Sequence, residues 1–172
     1  MSARGQRNWL LAAGAGAVAL VFGCRGENSL YGSVDELFSL EVARVEIRRN
    51  HEAFQVSYFN NRGANLDVVA RVAVSLQDVD FVPGTKIDLS GEYAPGHPRA
   101  AVIHEPGGEP ARVFPRVKKG DLVLSSGGNP DELTRGDFSV LFEESGGDIG
   151  GGRTLGGSFS AIALDAGFGP LP

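Results

Sequence analysis

The feature that most constrains the fold is an alternation of apolar and polar residues with a period of two, which is strongest in residues 66–76. The apolar side chains expected on one face are Leu66, Val68, Ala70, Val72, Val74 and Leu76. The polar side chains expected on the other face are Asp67, Arg71 and Ser75. A helix would spread the valines around its circumference, whereas successive side chains of a strand point to opposite faces. We therefore predict a strand, and its 11 residues predict a bend, a bulge or a strand shared between two sheets.

The same alternation recurs on both sides of this segment. Residues 43–47 and 54–58 alternate in the same way, and Asn50 and His51 lie between them. Because asparagine tolerates the positive φ of tight turns, this arrangement predicts a hairpin. Further short strands, separated by turn residues, are predicted at residues 85–89, 100–104, 112–117, 121–125, 136–142 and 157–163.

Two of these strands resemble each other. Residues 136–142 and 157–163 both begin with Gly-x-Phe-Ser and continue with apolar residues. We interpret them as antiparallel neighbours joined by the glycine-rich segment 145–152. We do not interpret them as a duplication, because strands favour the same residue types and so match easily over seven residues.

About nine short strands with turn signals between them, and without βαβ alternation, predict an all-β domain. We expect an antiparallel β-sandwich of about 8–9 short strands, which forms a single domain over residues 41–172. A lipocalin-like β-barrel is the alternative.

Residues 24–40 are predicted to form a tether that contains a short helical turn. Ser33 as N-cap and Glu36 three positions later match a capping box. We expect Leu37 and Phe38 to dock on the edge of the domain, because a helix this short is not stable alone.

The N-terminal residues have the organisation of an export signal. Arg4 and Arg7 precede an apolar run at residues 9–23, and Cys24, the only cysteine of the chain, follows directly. The run of 15 residues is shorter than the roughly 20 that a membrane-spanning helix requires. A basic start, a short apolar core and a small residue before the cut predict a signal peptide over residues 1–23.

The segment Val21-Phe22-Gly23-Cys24 resembles the lipobox of bacterial lipoproteins. Val21, Gly23 and Cys24 match the pattern of that family, whereas Phe22 is larger than the residue usual at its position. The resemblance implies cleavage between Gly23 and Cys24, diacylglycerol on the Cys24 thiol, and N-acylation, for example by palmitate. It covers only the first 24 residues and implies nothing about the rest. A plain secretory signal with an incidental cysteine and an uncleaved anchor are the alternatives.

The charge of the mature chain limits its partners. Removal of residues 1–23 takes away Arg4 and Arg7 and no acidic residue, which leaves 14 basic residues against 21 acidic ones and a formal charge of −7. Such a surface repels phosphate backbones, so we expect no nucleic-acid partner.

No catalytic, metal or cofactor motif stands out. The three histidines, His51, His97 and His104, have no metal-ligand spacing, and no Gly-x-Ser-x-Gly elbow is present. Asp78 and Asp80 could bind Ca²⁺, but two acids fall short of six to eight oxygen ligands. We therefore expect no enzyme, no metal and no cofactor. Catalysis would require a cleft that brings together at least two of the residues Asp78, Asp80, His97, His104 and Glu105.

Two aromatic residues are candidates for a contact surface. If Tyr58 points into the core, its neighbour Phe59 points outward beside a loop, where an exposed phenylalanine can bind a partner. Tyr93 lies in a turn-rich loop and is the second candidate.

Together these observations predict a membrane-anchored envelope lipoprotein that binds or assembles and does not catalyse. Its partners would be the lipid bilayer, through acylated Cys24, and another envelope protein. Arg25 is not the aspartate that retains some enteric lipoproteins in the inner membrane, which favours the outer membrane. The alternative is a carrier of a small apolar ligand, which requires an enclosed apolar pocket.

Overall fold

The computed structural model describes residues 27–63, 65–145, 149–166 and 168. Gly23 and Cys24, with the predicted signal peptide, lie outside the described residues. The described part contains one 3₁₀ turn, Ser33–Glu36, and twelve strands: β1 (Ser29–Tyr31), β2 (Arg44–Arg49), β3 (Ala53–Arg62), β4 (Asn65–Ser75), β5 (Lys86–Asp88), β6 (Glu92–Ala94), β7 (His97–Pro98), β8 (Ala100–Glu105), β9 (Arg112–Val113), β10 (Val117–Ser126), β11 (Leu133–Phe142) and β12 (Thr154–Asp165).

Ten strands form one curled sheet, and the prediction of an all-β fold is confirmed. The order is β5-β10-β11-β12-β2-β3-β4-β8-β9, and β1 pairs with β12. The sheet curls into a half-barrel, and β6 and β7 form a small second sheet. Within the described residues, no helix has the length and apolar character needed to cross a membrane.

Strand β12 connects the two halves of the curled sheet: β1, β5, β10 and β11 form one half, and β2, β3, β4, β8 and β9 form the other. Residues 154–162 pair antiparallel with β11, whereas residues 163–165 pair parallel with residues 47–49 of β2. Strand β1 occupies the same edge of β12 at residues 156–158. The parallel pair of β12 and β2 departs from the purely antiparallel order that we expected, and it lies beyond the residues of β12 that pair with β1. Residues 29–31, which the sequence placed in the tether, therefore belong to the main sheet.

The inner faces of the two halves pack against each other. The largest aromatic side chains that are fully buried between them are Phe54, Tyr58, Phe138, Phe142 and Phe159. The ring of Phe54 lies 4.7 Å from that of Phe81 and 5.8 Å from that of Phe159. The hydroxyl of Tyr58 donates to the carbonyl of Ser158 at 3.2 Å and so links the two halves. Aromatic rings therefore fill the space between the two halves.

The two Gly-x-Phe-Ser segments are antiparallel neighbours, as predicted. Gly136 lies opposite Phe159, and Gly157 lies opposite Phe138. A Cβ on Gly136 would lie 2.6 Å from Cζ of Phe159, and one on Gly157 would lie 2.7 Å from Cε1 of Phe138. Each glycine thus makes room for the phenylalanine of the other strand, and the repeat is a reciprocal packing device.

Strand β4 contains the predicted irregularity. The register of β3 against β4 shifts between Tyr58 and Phe59, and Val69 is the extra residue of a β-bulge. The bulge reverses the alternation upstream of it, because one additional residue changes which face each side chain points to. Leu66 is 44% exposed and Asp67 only 8%. The prediction that Leu66 faces the core and Asp67 the opposite side is therefore wrong.

The short helical turn forms, but without the predicted capping box. The N-cap is Gly32, whose φ of 140° favours glycine. The hydroxyl of Ser33 accepts from the backbone N–H of Thr154 at 3.0 Å, and Glu36 pairs with Arg153 at 2.6 Å. Contacts with the start of β12, and not local capping, hold the turn in place.

Candidate functional site

The two aromatic candidates from the sequence do not form an exposed surface. Phe59 is buried, because the guanidinium of Arg44 lies 4.5 Å from its ring centroid on the outer face of the sheet. The expected exposure of Phe59 is therefore wrong. Tyr93 is half-buried in β6, and its ring lies 5.6 Å from that of His97.

Within the part of the chain that the structure describes, the titratable residues that we considered for catalysis do not share the polar cavity described below. Of the five residues, only His104 lines the polar cavity discussed next. Among the described residues, no cluster of three or more histidine, cysteine, aspartate or glutamate side chains has the arrangement of a metal site.

A polar cavity of about 430 Å³ opens at the end of the sheet where β3 turns into β4. Its walls come from the segment after the 3₁₀ turn, from the ends of β3 and β4, and from the loop between β8 and β9. The titratable side chains and the arginine in its lining are Glu41, Asp67, His104, Glu109 and Arg112. We call this site the His104 cavity.

His104 is buried and held from two sides. Its Nδ1 lies 2.9 Å from the carbonyl oxygen of Val69, the bulge residue, so Nδ1 carries the proton that is donated in this bond. The imidazole stacks on Phe38 with ring centroids 3.9 Å apart. In the neutral ring, Nε2 is then the hydrogen-bond acceptor. The docking of Phe38 that the sequence predicted is confirmed, whereas Leu37 is exposed.

Asp67 fixes the loop that closes one side of the cavity. Its Oδ1 accepts from the backbone N–H of Gly107 at 2.5 Å. A Cβ on Gly107 would lie 2.8 Å from Cβ of Asn65, so the close approach of this loop to β4 requires glycine. Glu109 and Arg112 pair at 2.7 Å within the same wall.

The balance of charge in the cavity indicates which groups it can bind. Three carboxylates line the cavity, those of Glu41, Asp67 and Glu109, and one guanidinium, that of Arg112. Hydrogen-bond acceptors therefore dominate the lining, which suits a positively charged or donor-rich group. The sequence identified His104 only as a strand-end histidine and placed Asp67 on the opposite face. Placing the predicted bulge at Val69 would have put Asp67 on the correct face.

Comparison with protein-family models, with curated proteins and with solved structures gave no match to this chain.

Proposed function

We propose that this chain is a lipid-anchored envelope protein that acts by binding and not by catalysis. The observation that carries the proposal is the segment Val21-Phe22-Gly23-Cys24, which ends a short apolar run and contains the only cysteine. Two or more acyl chains on Cys24 would anchor the protein firmly, since each buried CH₂ contributes roughly 0.8 kcal/mol. We propose the outer membrane as its location, because Arg25 follows the anchor.

The position of β1 supports a site of action close to the bilayer. Ser29, the first residue of β1, follows Cys24 by five positions. Five residues span at most about 17 Å. We therefore propose that the partner is another envelope protein that lies in or on the same membrane.

The His104 cavity is the proposed binding site. Its acceptor-rich lining fits a lysine or arginine side chain of a partner protein, or a small amine. The alternative, a carrier of an apolar ligand, has less support, because aromatic side chains such as Phe54 and Tyr58 fill the space between the halves of the sheet.

The anchor is tested by metabolic labelling with an alkyne-bearing fatty acid in a bacterial host. The wild-type chain should take up the label, and Cys24→Ala should take up none. Glu27→Ala, a change at an exposed residue three positions downstream, is the matched control and should label like the wild type. Equal labelling of Cys24→Ala and wild type would contradict the anchor.

The binding site is tested by NMR of the histidine rings during titration with putrescine or arginine. The signals of His104 should shift and saturate, whereas those of His51 and His97, which are exposed, serve as internal controls. Acetate, an anion, should leave His104 unchanged, and Asp67→Asn should weaken the response to putrescine. An unresponsive His104, or an equal response to acetate, would contradict this assignment.

A further inference from the structure

Three large apolar side chains are exposed together near the C-terminal end of β12. Leu133 is 45% exposed, Ile162 58% and Leu164 45%. Leu133 lies directly opposite Ile162 in the register of β11 and β12. Leu164 follows Ile162 by two positions and so points to the same face, whereas Ala163 between them is fully buried. We call Leu133, Ile162 and Leu164 the apolar trio.

The chain upstream of β1 leaves the folded body next to the apolar trio. β1 runs antiparallel to β12, with Ser29 opposite Ser158, so the preceding residues lead toward the end of β12. The side-chain oxygen of Asn28 accepts from the backbone N–H of Ser160 at 2.7 Å. Ser160 and Ile162 are two residues apart, about 7 Å along the strand.

The covalent length of the tether keeps Cys24 close to this point. Cys24 lies four positions before Asn28, which allows at most about 14 Å between them. An acyl group on Cys24 would therefore bring the apolar trio to the surface of the membrane in which it is embedded.

We propose that the apolar trio inserts into the lipid bilayer and holds the folded domain against the membrane beside its anchor. We call this contact the seating of the domain. This inference depends on the proposed acylation of Cys24. Exposed apolar clusters of this kind mark interaction sites, and leucine and isoleucine are favourable in the acyl region of a membrane. The bilayer is the occupant that the position of the tether favours.

The charged neighbours of the apolar trio do not favour one sign of lipid charge. The charged residues that flank it in register or along the chain are Arg48, Glu132, Arg135 and Asp165, two of each sign. We therefore expect seating in zwitterionic membranes, with no requirement for anionic lipid.

The test measures how deeply single residues lie in the membrane. The acylated full chain is reconstituted in phosphatidylcholine–phosphatidylethanolamine vesicles, with a fluorescent label on Ile162→Cys or on Val113→Cys. Acylation blocks Cys24, so the introduced thiol is the labelling site. Val113 is a matched control, because it is 53% exposed and lies five strands from β12 in the sheet. Quenching by doxyl-labelled lipid should be about fivefold stronger at position 162 than at 113.

A second set of variants separates the apolar trio from its neighbourhood. With the label on Leu133→Cys, the double change Ile162→Ser and Leu164→Ser should reduce quenching severalfold. All three side chains are exposed, so circular dichroism should show an unchanged fold.

The outcomes distinguish the anchor from the seating. If the labelled chain fails to float with vesicles, the proposed anchor is wrong and the seating falls with it. If the chain floats but positions 162 and 113 are quenched equally, the anchor stands and the seating is wrong. Efficient crosslinking of Ile162→Cys between two copies, without quenching by lipid, would assign the apolar trio to a dimer and overturn the proposal.

Discussion

The apolar trio and the His104 cavity lie at opposite ends of the sheet and are built differently. Leu164 is in register with Arg48 of β2, and Arg48 with Gln55 near the start of β3. Asn61, at the other end of β3, lines the cavity. Asn61 lies six positions after Gln55, about 20 Å along the strand. If the apolar trio rests in the membrane, the cavity lies about 20 Å farther from it, where it can bind the part of a partner that projects from the same membrane.

The two ends also differ in the regularity of their backbone. Near the apolar trio, β11 and β12 pair without interruption from Leu133 to Leu141. At the cavity, the bulge at Val69 and the loop between β8 and β9 supply the polar groups. Regular strands therefore hold the three side chains of the proposed membrane contact in fixed positions. Irregular segments supply the converging polar groups of a cavity.

The largest effect is expected from Phe54→Ala, because Phe54 packs in the core that both ends share. Removal of this fully buried ring should lower the free energy of unfolding by about 3–5 kcal/mol. Leu133→Ala, a change within the apolar trio, should cost less than about 0.5 kcal/mol. Urea unfolding followed by far-UV circular dichroism measures both. Equal losses would show that the apolar trio is part of the core.

Gly136→Ala tests the interlock between β11 and β12 that supports the apolar trio. The added Cβ collides with the backbone carbonyl oxygen of Val123 and with the ring of Phe159, so the free energy of unfolding should fall by about 1–3 kcal/mol. Gly91→Ala is the matched control, since the nearest atom to its Cβ would be 4.0 Å away. Phe159→Leu should relieve part of the loss in the double variant. Additive losses would contradict a direct collision.

Asp67→Ala tests the cavity end alone. Loss of the acceptor for the Gly107 N–H should cost about 1–2 kcal/mol and speed hydrogen exchange at Gly107. Asp67→Asn keeps a side-chain oxygen and should protect this amide better. Lipid quenching at Ile162 should not change in either variant. A change there would mean that the two ends are coupled.

A smaller effect than that of the core and glycine variants is expected from Tyr58→Phe, which removes one hydrogen bond between the halves and should cost about 1 kcal/mol. Burial raises the pKa of Tyr58 well above its usual value, and Asp137 and Tyr31 add to the shift. The unfolded chain therefore loses this proton first as pH rises, so the contribution to stability is complete below about pH 10 and decreases above it. Tyr58→Phe should weaken the alkaline loss of stability in urea unfolding. An identical alkaline profile would contradict this.

Much of the fold could be predicted because alternation is a local signal. The strands at 43–47, 54–58 and 66–76 follow from period-two patterns, and each is present in the sheet. The Gly-x-Phe-Ser match correctly paired β11 with β12. The reciprocal role of Gly136 and Gly157 became visible only with the register, because it depends on which residues face each other.

The rest depends on contacts between distant residues. The alternation of β4 predicted a bulge but did not place it at Val69, so the orientation of Asp67 was wrong. Ser33 matched a local capping pattern, but its hydroxyl contacts Thr154, 121 positions away. Phe59 points outward as predicted, yet Arg44 covers it. Short-range patterns carry no information about such partners. Most contacts that build the His104 cavity are of this long-range kind.

The most direct test of the account is the intact mass of the mature protein extracted from its membrane fraction. We predict a chain that begins at Cys24 and carries a diacylglycerol group and an N-acyl chain on this residue. A mature chain with an unmodified Cys24 thiol, or with its N-terminus at another residue, would contradict the anchor and the membrane seating that depends on it.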